Sequence, residues 1–149
     1  MTEWGYFIEE AWRKKMEYPA QKRAIESKFA QHKPNIVLIE NKSTGQALIS
    51  DLKSTRLPIK SVDVSSRDKI TRANGTTPTC EAGKVYIKEG TPWFQDFIDE
   101  LCAFPAGAYD DWVDTFTQGL DYARSRAYGV ATYETALSRR STTQHRGAY

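Results

Sequence analysis

The chain has 149 residues, the length of one domain, and one core of that size buries about 70% of the surface that its unfolded chain exposes. It is 40% hydrophobic and 27% charged, as ordinary globular proteins are, and its net charge of +2 is too small to argue for nucleic acid by itself. Two cysteines, Cys80 and Cys102, fit neither a disulfide framework nor the paired spacing of a zinc site. No signal-peptide pattern opens the chain, and no apolar run approaches the roughly 18 residues of a membrane span, so the expectation is a soluble, cytoplasmic protein with no membrane partner.

Trp4 to Trp12 interleaves aromatic and apolar residues and predicts a strand. Pro19 sits at a first helical turn, and Ala20 to His32 carries Ala24, Ile25, Phe29 and Ala30 near one face, which predicts an amphipathic helix. Ile36-Val37-Leu38-Ile39, ending in Glu40, is the pattern of an interior strand covered on both faces. A polar turn, Asn41 to Gly45, leads into a helix through Ala47, Leu48, Ile49 and Leu52. Ile59 to Val64 predicts a strand, Arg67 to Ala73 a charged helical start, and Lys84 to Ile87 a strand between Gly83 and Gly90. Thr91-Pro92-Trp93 opens a helix with the stripe Phe94, Phe97, Ile98 and Leu101, and Phe104-Pro105-Ala106-Gly107 breaks it. Asp110 or a near neighbour caps a last helix bearing Val113, Phe116 and Leu120; from Ala127 the apolar period fades, and residues 128–149 read as a disordered tail. Strands alternating with helices give the α/β class.

Carboxylates fall where an α/β sheet places its chemistry, at strand ends and helix starts. Glu40 closes an apolar strand, although a strand-end glutamate met by Lys42 or by solvent explains it as well. Asp110, Asp111 and Asp114 crowd one helical turn at i, i+3 and i+4 spacing, where like charges repel. Helix capping accounts for Asp110 or Asp111 and accounts less well for Asp114; a divalent cation held by oxygen ligands is the other reading. Lys42, Lys53, Arg56, Lys60, Arg67, Lys69 and Arg72 cluster after Glu40 and suit either a polyanion or a solvated surface.

Several segments in order carry a resemblance. These are Lys33 to Leu48 around Ile39-Glu40-Asn41-Lys42, then Asp68-Lys69-Ile70-Thr71-Arg72-Ala73, then Glu81-Ala82-Gly83-Lys84-Val85, and finally Trp93 to Leu101 with Phe104-Pro105 and Tyr109-Asp110-Asp111-Trp112-Val113-Asp114. Together they resemble the nuclease domain of tailed-bacteriophage large terminase subunits across roughly Trp4 to Arg124. The resemblance implies an RNase H-like fold, with a central mixed β-sheet flanked by α-helices, over residues 1–127. It also implies a two-metal endonuclease that uses Mg²⁺ or Mn²⁺ to cut concatemeric viral DNA. Position by position, Glu40, Asp111 and Asp114 match catalytic carboxylates, Glu40, Asp110, Asp111 and Asp114 the metal-ligand set, and Lys42, Lys69 and Arg72 lie where DNA passes. Implied partners are double-stranded phage DNA, an ATPase portion, the portal and a small terminase subunit, in a bacterial host cell.

The family's domain opens with an aspartate-bearing strand upstream of the segment matched by Trp4 to Trp12, whereas here only Met1-Thr2-Glu3 precede it, and no Walker-type loop occurs. The expectation is therefore an N-terminally truncated site with impaired cleavage. A non-catalytic DNA-binding or interaction module that retains the fold is the alternative, and an unrelated RNase H-like enzyme of nucleic-acid processing is a third reading.

Overall fold

A computed structural model describes residues 5–63 and 68–126. Its elements run β1 (Tyr6–Ile8), α1 (Tyr18–His32), β2 (Val37–Glu40), α2 (Thr44–Lys53), β3 (Ile59–Val62), α3 (Lys69–Glu81), β4 (Val85–Ile87) and α4 (Phe94–Ala103), followed by α5 over residues 111–126. Helices and strands alternate as the sequence predicts. The tail expected over residues 128–149 lies outside the described residues, as does the end of the strand expected to reach Val64.

The sheet departs from expectation. Among the described residues there are two parallel pairs, β1 with β4 and β2 with β3, rather than one mixed sheet. Val37 to Glu40 pairs only with Ile59 to Val62, and all four residues of β2 are half-buried, so it is not the interior strand that its wholly apolar sequence implies. An apolar run reports the burial a strand is suited to; it does not by itself supply neighbours on both edges.

Boundaries follow local chemistry. Lys33 closes α1 in the left-handed conformation (φ 44°), its N–H bonding the Phe29 carbonyl. α3 continues past Ala73 through Gly75 and Pro78, where the turn-rich sequence predicts an end. Tertiary contact overrides that signal: Arg124 of α5 donates to the Gly75 carbonyl at 2.5 Å, in the turn whose hydrogen bonding Pro78 interrupts. Asp68 caps α3, accepting from the Thr71 N–H at 2.9 Å and from its hydroxyl at 2.6 Å.

The buried apolar residues are Leu48, Ile49 and Leu52 of α2, Phe97 of α4, and Trp112, Val113 and Leu120 of α5. Phe97 is the hub of the aromatic contacts, 5.8 Å from Trp112 and 6.1 Å from Phe116 between ring centroids. No residue of α1 or of any strand is buried. α1 is tethered to α2 instead, through Tyr18 Oη donating to Asp51 at 2.7 Å and Lys22 at 3.7 Å from the same carboxylate.

Candidate functional site

α2 begins hard against the end of β2. A Cβ on the buried Gly45 would collide with the Glu40 carbonyl oxygen, so only glycine permits this approach, and the turn between them passes through Ser43 at φ 43°. That packing aims the Glu40 side chain at α5. Gln118 Nε2 lies 3.5 Å from Glu40 Oε2, and Lys42 Nζ is 3.3 Å from Oε1. Gln118 is one helical turn beyond Asp114 and two beyond Asp111, so Glu40 meets α5 on the Asp114 side.

Cations from α3 occupy the aspartates. Lys69 Nζ bridges Asp110 Oδ2 at 2.6 Å and Asp114 Oδ2 at 2.8 Å, and Arg72 Nη2 donates to Asp114 Oδ1 at 2.6 Å. The Arg72 and Asp114 side chains are only 11% and 16% exposed, so this pair sits inside the α3–α5 junction. Hydrogen bonds to Asp110 first, then to Asp114, hold the Lys69 ammonium above the ordinary lysine pKa. Asp111 points elsewhere: its side chain is 71% exposed and lies 4.0 Å from Arg13.

The four carboxylates thus share one end of the molecule without sharing one centre. Among the described residues no group of three or more His, Cys, Asp or Glu side chains is placed to hold a metal ion. The donor set explains why: the repulsion between Asp110 and Asp114 is already offset by one ammonium and one guanidinium, and Glu40 has Lys42 beside it. A two-metal centre does not fit this arrangement. The same contacts engage Lys69 and Arg72 internally, while Lys42, with a side chain 67% exposed, keeps most of its surface open.

Two residues that the sequence reading passed over organise the start of α5. Glu100 is only 8% exposed, and its carboxylate accepts from the Trp112 N–H at 2.7 Å and from Arg13 Nη1 at 2.5 Å. Asp110 is the residue before the helix, its carbonyl bonding the Asp114 N–H, but its side chain is turned to Lys69, and a carboxylate from α4 caps in its place. Arg13 also packs over Tyr109 and Trp112, 4.7 and 4.6 Å from the ring centroids. A signal was available. Glu100 lies three residues after Phe97, on the stripe that faces the core, where an acid needs a cation.

No described helix is long and apolar enough to cross a membrane. Neither the curated proteins nor the solved structures contain a match to the chain. The family model of the terminase RNase H-like domain matches residues 3–123, most of the sequence and all of the site just described, and the chain therefore belongs to the terminase RNase H-like family.

Proposed function

We propose that this chain is the nuclease-type domain of a phage DNA-packaging terminase, that it engages double-stranded DNA, and that its acidic residues are held as ion pairs in the state described. The family match over residues 3–123 carries the reading. The ionic contacts of Asp110 and Asp114 with Lys69 and Arg72 support its second half, because a carboxylate committed to an internal cation is not available to a metal ion. Phosphate contacts then fall to exposed cations such as Lys42, with Lys69 and Arg72 joining only if their aspartates release them.

A second reading, the cutting of concatemeric DNA with two Mg²⁺ or Mn²⁺ ions, draws on one observation: Glu40 reaches α5 at Gln118, one turn from Asp114. Glu40, Asp111 and Asp114 are its catalytic candidates and Asp110 an added ligand. No hydrolytic step follows from the present placement of these groups.

Fluorescence anisotropy with duplex DNA across a salt series, beside plasmid nicking in Mn²⁺, tests both. The expected result is binding that weakens steeply with salt, and little or no nicking. Absence of binding at low salt overturns the proposal. Robust nicking, lost in Glu40→Ala and Asp114→Ala, replaces it with the second reading.

A further inference from the structure

A groove of about 570 Å³ runs beside β1. Gly5, Tyr6, Phe7 and Ile8 all line it, successive residues whose side chains alternate between faces, so it follows an edge of the strand and not one face. No residue of β4 lines it, which places it along the edge opposite β4. Its floor is α5, through Trp112, Phe116, Leu120 and Ala123. On the other face of the same edge, a second hollow is walled by Lys28 and His32 of α1. The free edge of β1 thus opens into a slot between two helices.

The backbone there is unused. The Tyr6 N–H bonds the Lys84 carbonyl at 2.7 Å, and alternation along the strand turns the N–H and C=O of Phe7 away from β4, toward the slot. Phe7 is itself 61% exposed, and the buried indole N–H of Trp112, on the groove floor, has no acceptor among the described residues. An apolar floor beside a row of backbone donors and acceptors suits an extended polypeptide, which offers complementary backbone groups and side chains with a two-residue repeat. The carboxylates of Glu9 and Glu10 along the rim disfavour a phosphate backbone and favour a strand with a cationic flank.

We propose that the free edge of β1 is a docking site for a partner polypeptide that adds as a strand, placing alternate apolar side chains over α5 and a basic residue near Glu9. The inference is independent of the nuclease-type reading.

The probe is a capped heptapeptide of alternating valine and threonine ending in lysine, titrated into the full chain. Binding is read by tryptophan fluorescence and by amide hydrogen exchange at Phe7. Saturable binding with slowed exchange at Phe7 is expected. Phe7→Pro removes the outward N–H without touching a β1–β4 bond and should weaken binding at least roughly tenfold. The same peptide N-methylated on its pairing edge should fail against the unaltered protein, a control that does not depend on how the variant folds. Three results overturn the proposal: no binding; binding indifferent to both changes, which marks a site for apolar groups alone; or a dimer that Phe7→Pro dissolves, which makes a second copy the occupant.

Discussion

Replacing Glu100 probes the junction on which the start of α5 depends. Glu100→Ala removes the acceptor of the buried Trp112 N–H and the anionic partner of Arg13 together. An orphaned backbone donor costs about 1–2 kcal/mol, whether judged as a lost helix cap or as an unpaired buried group. Breaking a wholly buried pair costs roughly 3–5 kcal/mol and a surface pair at most about 1 kcal/mol. Arg13 lies nearer the second limit: its side chain is 35% exposed and keeps the faces of Tyr109 and Trp112. About 1 kcal/mol for the pair brings the total to about 2–3 kcal/mol, a shift of roughly 1–2 M in the urea midpoint. Glu100→Gln retains an oxygen for the Trp112 N–H and loses only the charge, so it should cost about 1 kcal/mol. Urea unfolding followed by tryptophan fluorescence measures both variants, and Arg13→Met closes a double-mutant cycle with an expected coupling of about 1 kcal/mol. If Glu100→Gln costs as much as Glu100→Ala, the capping argument is wrong; if Glu100→Ala costs less than about 0.5 kcal/mol, the whole junction is.

Gly45→Ala should destabilise by about 1–3 kcal/mol, since the new methyl meets the Glu40 carbonyl, a backbone atom that cannot turn aside; urea unfolding within about 0.5 kcal/mol of the parent would refute this. Hydrogen bonds to Asp110 and Asp114 raise the Lys69 pKa, so the stability it contributes is fully present below the ordinary lysine value and is lost as pH rises through the raised one; Lys69→Met should flatten that alkaline limb in melts across a pH series. Asp68 behaves oppositely: hydrogen bonds from Thr71 depress its pKa, its contribution is present above the ordinary carboxylate value and lost as pH falls through the depressed one, and Asp68→Asn should reduce the acid-side slope. Chelator or Mg²⁺ should leave the melting midpoint of the parent unchanged, whereas a site filled at about 100 times its Kd would add about 2.7 kcal/mol.

The elements were legible where one local signal dominated. The run Ile36 to Glu40 announced a strand, Phe94, Phe97 and Leu101 announced the stripe of α4, and the family segments fixed their order. The continuation of α3 through Gly75 and Pro78 was not legible, because the arginine that holds its carbonyl lies 49 residues away on α5. Pairing was equally hidden: whether a second neighbour joins β2 depends on other chain segments and not on the four residues themselves. The acidic positions could be read from the sequence, but their partners could not. Lys69 and Arg72 stand 41 and 42 residues from the aspartates they meet, and sequence spacing treated them as a basic cluster separate from the acidic one.

Those contacts give α5 a particular place in the molecule. Glu100 of α4 caps its first turn, Lys69 and Arg72 of α3 neutralise its acidic end, Gln118 meets the end of β2 one turn later, and Arg124 reaches back to α3. Four separate elements therefore set the position of one helix through polar contacts, while its apolar side supplies Trp112, Val113 and Leu120 to a small core. Polar contacts depend steeply on geometry, whereas apolar contact tolerates sliding. A rearrangement that freed Asp114 for another cation would have to move α3 relative to α5 and expose both Arg72 and the aspartate it meets. Release is thus coupled to a shift of a whole helix: any ligand that draws out Lys69 and Arg72, a DNA phosphate included, would act on the acidic cluster through α3 without touching an aspartate.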